Sequence, residues 1–331
     1  MRRNLLLAAG ALTAAVVLSG CGGAGSSGTE APASSAAGAG CAPAAGDTLV
    51  VLTDDKKLQN TDNVVPAINK KASSPELIAA LDKVSAALDT TKLIELNKAV
   101  DIDRKSSKAA AQEFATANNM TAGITKGSGG DLTVGAANFS ESATLGELYN
   151  IALTAAGYKV KVQQIGNREL YEPALEKGEI DVVPEYAATM ATFLNGKVNG
   201  QNAEDPSSPE LDTTMKNLTA LGEKVGLVFG KPSTAQDQNA FATTTAFADK
   251  YGVKTLSDLA AKCSGAATIL GGPPECPQRP KCQQGLVSTY NFNAGKFSSL
   301  DAGGPLTKTG LKQGTISVGL VFSSDGALAA G

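Results

Sequence analysis

Glu185, Tyr186 and Thr189 follow a short apolar run, Ile180–Val183, bounded by Gly178 and Pro184. A carboxylate, a ring and a hydroxyl packed this closely can hold a small molecule by charge, ring face and hydrogen bond. The run reads as a strand buried in a parallel sheet, ending where proline withdraws its N–H. In open α/β folds, ligands bind beyond the carboxyl ends of strands. A surface turn whose tyrosine packs on a neighbouring helix explains the same residues equally well. Composition removes other chemistries. The 331 residues include no histidine, which excludes Ser-His and Cys-His nucleophile pairs and the commonest metal ligand. Zinc-type cysteine spacing and a phosphate-cradling glycine loop are both lacking, so neither a metal nor a cofactor is expected. The net charge is −3 without a basic cluster, so nucleic acid is not an expected partner.

The N-terminus carries its own chemistry. Arg2 and Arg3 precede an apolar run, Leu5–Leu18, too short to span a bilayer. Residues 1–20 therefore read as a secretory signal. The tetrapeptide Leu18-Ser19-Gly20-Cys21 resembles a bacterial lipobox, in which the cysteine is lipidated and anchors the protein to the outer face of the cell membrane. From Gly22 to Gly46 the chain is almost entirely Gly, Ala, Ser and Pro, the composition of a flexible tether, so 21–46 is expected to be anchor and tether. Apart from Cys21, the cysteines are Cys41, Cys263, Cys276 and Cys282. An even number outside the cytoplasm predicts two disulfides, and four cysteines allow three pairings. Proximity favours Cys276 with Cys282; Cys263 with either of them is the rival.

The elements that must position these residues follow from periodicity. Asp47–Thr53 reads as a strand, and Asp54–Pro66 as a polar segment. Ser73-Ser74-Pro75-Glu76 starts a helix whose Leu77, Leu81, Val84 and Leu88 recur at helical spacing. Two more helices are predicted, over about Thr90–Val100 and Ser106–Asn118, and then a linker over 121–130. From Leu132 strands and helices alternate, which predicts a parallel sheet with helices on both faces. A second, smaller α/β unit is expected from about Asn239, closing with a helix, Pro305–Lys312, and a strand, Ile316–Phe322.

Within this frame, GAANFSES (135–142), AAGYKV (155–160), ALEKGEIDVVPEYAAT (174–189), KTLSDL (254–259), PECPQRP (274–280) and VGLVFSSDG (318–326) occur in order. Together they resemble the substrate-binding proteins of glycine betaine/choline/carnitine ABC transporters, over nearly everything after Gly130. The segments VVLTDDKKLQNTDNVVP (50–66) and LNKAVD (96–101) resemble the closing part of the same family, which here precedes the rest. The chain thus looks circularly permuted. The resemblance implies a type II periplasmic-binding-protein fold: an α/β protein of two lobes joined by a hinge, each lobe a sheet flanked by helices. On that reading 47–120 completes lobe 1, 121–130 joins the old ends, 131–232 is lobe 1, 233–318 lobe 2, and 319–331 returns to lobe 1. Leu49–Leu52 is then expected in the same lobe as Leu132–Gly135.

The resemblance also implies a site. Tyr186 is expected as one wall of an aromatic cage for a quaternary ammonium group, with Thr189 as a polar contact beside it. Phe322 is expected as another wall, and Arg279 as the partner of a ligand carboxylate. Asn239 and Asp62 stand where the family often has aromatics, and Ala136-Ala137 replace a polar residue. The expected ligand is a small quaternary ammonium or zwitterionic solute, and the expected partner an ABC permease, with the protein a monomer and not an enzyme. A ligand sensor or structural surface lipoprotein, or a binder of an amino acid, remains open as an alternative.

Overall fold

The computed structural model describes Gly38–Leu328. The expected signal and Cys21 lie outside the described residues.

Two five-stranded sheets carry the fold. Three helices, α1 (Pro75–Ala87), α2 (Thr90–Asp101) and α3 (Ser107–Ala117), precede the alternating region. Serine or aspartate side chains (Ser74, Asp89, Ser106) cap all three, each accepting a backbone N–H of the first turn. In chain order the first sheet comprises β2 (Val64–Asn69), β3 (Asp131–Ala137), β4 (Lys159–Gly166), β5 (Val182–Tyr186) and β6 (Leu227–Phe229). The second comprises β1 (Leu49–Val51), β7 (Asn239–Thr244), β8 (Gly265–Gly272), β9 (Ala294–Ser299) and β10 (Val318–Phe322). Their strand orders, β4-β3-β5-β2-β6 and β9-β8-β10-β7-β1, follow one plan. In each, three parallel strands are followed by a strand that runs antiparallel to both its neighbours. The chain crosses between sheets twice, after β6 and after β1. The two crossings run side by side: Asn63 bridges Gln236, and the Asp237 amide donates to the Asp62 carbonyl at 3.0 Å.

α1 to α3 pack with α4 (Ser140–Ala155) on one face of the first sheet, around Leu77, Leu81, Leu93, Leu148 and Leu153. The opposite face is covered by α5 (Arg168–Lys177), α6 (Ala187–Asn199) and α7 (Leu211–Val225). In the second lobe all four described cysteines are buried in the core, bonded as Cys41–Cys263 and Cys276–Cys282.

Several expectations are corrected. Leu49–Val51 joins the second sheet, paired with β7, and does not lie beside Leu132–Gly135. β10 also stays in the second sheet, so 319–322 does not return to lobe 1. The physical reason is edge pairing: β1 satisfies the backbone groups on the side of β7 away from β10, as β6 does for β2 on the side away from β5. The strand at Ile180–Val183 does not stop at Pro184 but runs to Tyr186. Pro184 lies opposite Pro66 of β2, a strand hidden in the sequence by that proline. Facing each other, the two prolines require no N–H donor from either side. The tether ends earlier than Gly46, because 38–46 is tied to the second lobe. The amides of Ala266 and Ala267 donate to the carbonyls of Gly38 and Ala39 at 3.0 and 2.9 Å. Only glycine permits this approach, since a Cβ on Gly265 would sit 2.3 Å from the Gly40 nitrogen.

Candidate functional site

The parallel strands of the first sheet end at the cleft, and the loops beyond them line it. Phe139, just after β3, and Tyr186, the last residue of β5, place their ring centroids 6.3 Å apart. Phe322, the last residue of β10 in the other lobe, stands 5.4 Å from Phe139. The three rings form a row that crosses from lobe to lobe. Asn239 opens β7 directly opposite Phe322, and its amide donates to the Lys281 carbonyl at 3.2 Å. All six residues singled out in the sequence, Asp62, Tyr186, Thr189, Asn239, Arg279 and Phe322, line this one cleft.

Their partners differ from the expected ones. Asp62, standing where the family often has an aromatic, is buried and hydrogen-bonded within the protein. Its side chain caps α6 from across the chain, accepting from the Ala188 and Thr189 amides at 2.7 and 3.2 Å and from the Thr189 hydroxyl. The helix needs this because Tyr186 at its N-cap offers no capping atom. Burial nonetheless pushes the Asp62 carboxyl up to about 6, against the pull of those hydrogen bonds. Arg279 does not point a free fork into the cleft. It donates through Nε and an Nη to the two carboxylate oxygens of Glu169 at 3.1 and 2.8 Å, with Glu275 at 3.4 Å. Glu169 belongs to α5 in the first lobe, so the pair spans the cleft. Burial raises the Glu169 carboxyl, but Arg279 outweighs it and holds the group below its ordinary value.

Five further residues, Phe139 among them, were not singled out in the sequence. Arg168 forks onto Glu185 at 2.8 and 2.7 Å, and Tyr171 donates to the same carboxylate at 2.7 Å. Burial disfavours the guanidinium charge, and Glu185 overrides that, raising Arg168 further. Glu141, in the first turn of α4, accepts from the Tyr186 hydroxyl at 2.5 Å. Burial, then the Glu141 charge, push the Tyr186 hydroxyl well up, so it stays a donor. Asp237 sits on the crossing beside Asp62 and accepts from the Ser324 amide at 3.1 Å. Phe139 and Glu141 lie within the GAANFSES stretch, where an acid opening a helix just after a strand was the available signal. Asp237, in a polar loop, left no such trace.

The cleft therefore joins an aromatic row to two buried carboxylates, Asp62 and Asp237, while the buried Glu141 holds the Tyr186 hydroxyl. Both nearby arginines are occupied by other acids. Such a surface favours a cation with an apolar shell.

Two lobes joined by a double crossing, with a lined cleft between them, define a solute-binding clamp of the periplasmic-binding-protein kind. The chain belongs to the family described as the substrate-binding domain of ABC-type glycine betaine transport systems, whose model matches residues 43–117 and 130–330. That family is one of transport binding proteins, which is not an enzyme class. A glycine-betaine-binding protein of Pseudomonas aeruginosa is 26% identical over 206 residues, or 60% of this chain. The chain spans 63% of the length of that curated relative. Two solved structures are distant likenesses. OppA of Haemophilus influenzae, complexed with a peptide, is 12% identical with a TM-score of 0.27, covering 56% of this chain and 44% of its own. The substrate-binding domain of a Bacillus anthracis oligopeptide ABC transporter is 11% identical with a TM-score of 0.28, covering 57% and 49%. Likenesses at this level add nothing to the argument. Among the described residues no helix is long and apolar enough to cross a membrane.

Proposed function

We propose that the protein is the extracytoplasmic, lipid-anchored binding component of an ABC importer, a monomer that captures a small quaternary ammonium solute and delivers it to a membrane permease. The observation that carries this reading is the row Tyr186–Phe139–Phe322 set against two buried carboxylates, Asp62 and Asp237, in a cleft between two lobes. Tyr186, Phe139 and Phe322 present ring faces to the ammonium group, and Asp62 and Asp237 supply the counter-charge. Asn239 and Thr189 are the polar contacts. Because Arg279 is engaged by Glu169, a cation without a carboxylate, such as choline, fits better than glycine betaine. Circular permutation belongs to the same reading. It is supported by the break in the family match between 117 and 130. A further support is that Leu49 and Leu328 share one apolar cluster, as residues flanking an old connection would.

A thermal-shift screen against choline, glycine betaine, carnitine, ectoine and amino acids tests the function, since a ligand that binds only the folded state raises its melting temperature. A shift with choline and related quaternary amines is expected. A shift with amino acids alone would overturn the reading.

A further inference from the structure

Glu141 and Asp237 form an arrangement that binding a cation does not by itself require. They reach the same point from opposite directions, one from the first turn of α4 and the other from the crossing before β7. Ser324 ties them together: its hydroxyl donates to Glu141 at 2.5 Å and its amide to Asp237 at 3.1 Å. Asn97 of α2 donates to the same Glu141 oxygen as Ser324, and Tyr186 donates to the other. Both carboxyls are buried and held on the same serine, and two like charges kept this close favour a proton on one of them.

The surroundings offer no cation in place of that proton. Towards the cleft stand Asp62, Tyr171, Glu275, Arg168 and Arg279, the two arginines occupied by Glu185 and Glu169. On the other side, around a second cavity of about 280 Å³, stand Asp101, Asp301 and Asp325, with Lys308 held by Asp325 at 2.7 Å. Among the described residues no lysine or arginine pairs with Glu141 or Asp237. Burial raises both carboxyls, and the Glu141 charge raises Asp237 further. Asp237 lines the cleft itself, while Glu141 lines the second cavity behind Phe139 and Phe322.

We propose that Glu141 and Asp237 share one proton in the ligand-free protein, and that a quaternary ammonium seated on the aromatic row expels it to solvent. The inference rests on the cation-binding reading above. Charge balances: one positive charge enters the cleft as the ligand and one leaves as a proton. The ligand's fixed charge replaces the proton as the counter-ion of the pair. Asp237 is then a specificity-determining residue, because a neutral solute cannot displace the proton and a zwitterion does so at the cost of placing its carboxylate near an anionic pair.

The test is calorimetry of choline chloride binding in two buffers of different ionisation enthalpy, repeated from about pH 5.5 to about pH 8. Between half a proton and one proton should be released per choline bound at the acid end, and affinity should tighten by about tenfold per pH unit while the pair still holds its proton. Asp237→Asn and Glu141→Gln should each abolish the release and flatten the pH profile. The wild-type buffer comparison stands without either variant, should one fail to fold. Binding of choline with no proton released and a flat profile would overturn this inference and leave the functional reading intact. Absence of any heat or thermal shift with choline, glycine betaine or carnitine would overturn both.

Discussion

Replacing Asp62 with asparagine should make the protein more stable at neutral pH while loosening its hold on a cation. Burial holds the Asp62 carboxyl at about 6 against an ordinary value of 3.8, a gap that corresponds to ~3 kcal/mol. The sign follows from where the proton sits. Below the ordinary value both folded and unfolded chains carry it; between the two values only the folded chain does. Stability from this group therefore falls as pH rises through that window, and the full deficit is present above it. Asparagine has no charge to bury. Its amide oxygen can still accept from the Ala188 and Thr189 amides, but the second oxygen that takes the Thr189 hydroxyl is lost, at about 1 kcal/mol. The net expectation at neutral pH is a gain of ~1–2 kcal/mol. Loss of the counter-charge should weaken choline binding by ~1–3 kcal/mol. Urea denaturation of both proteins from about pH 4 to about pH 7.5 would show the wild type losing stability relative to the variant across the window. A variant that is less stable at neutral pH, with an unchanged pH slope, would refute the burial argument. Unchanged choline affinity would reduce Asp62 to a helix cap.

Three other substitutions probe separate parts of the molecule. Arg279→Ala removes the pair with Glu169 that spans the cleft. As a partly exposed pair it is worth ~1 kcal/mol or less, so choline and glycine betaine should both dissociate a few times faster in stopped-flow measurements; a loss confined to glycine betaine would instead make Arg279 a ligand contact. Phe139→Ala takes out the middle ring of the row and should weaken choline by about 1–2 kcal/mol, with calorimetry against an uncharged isostere showing a smaller loss. Serine at both Cys41 and Cys263 opens a loop of 222 residues, worth up to about 5 kcal/mol by chain entropy; melting temperature should drop, while peptide mapping still finds Cys276 joined to Cys282.

Much of the fold was legible because it is written in local patterns. The capped helices at Ser74 and Ser106, and the alternation from β3 to β5, depend on neighbours within a few residues. β2 was not legible, because Pro66 speaks against a strand unless its partner across the ladder is also a proline. The lobe of Leu49–Val51 was not legible either: a three-residue strand carries no mark of which sheet it will join. The six cleft residues came from motif resemblance, and the structure does gather them. Their partners lie far off in sequence, however, with Asp62 meeting Thr189 and Arg279 meeting Glu169, and no spacing rule reaches that distance. Asp237 was missed for the same reason, since its meaning depends on Glu141 and Ser324 arriving from two other elements.

The placement of the first sheet along the chain has a consequence for assembly in time. All its strands fall in one uninterrupted stretch, from Val64 to Phe229, whereas the second sheet needs Leu49–Val51 from before that stretch and four strands from after it. A chain that emerges N-terminus first can complete the first lobe while β1 and Cys41 wait for partners. At about 5–20 residues per second, the separation of 222 residues from Cys41 to Cys263 takes roughly ten to forty seconds to synthesise. When Cys263 appears, it is the next of the four bonded cysteines, and it is the correct one. Cys276 and Cys282 then follow as a local pair. Joining these cysteines in order of appearance gives the native connectivity directly, so oxidation needs no reshuffling of mispaired thiols.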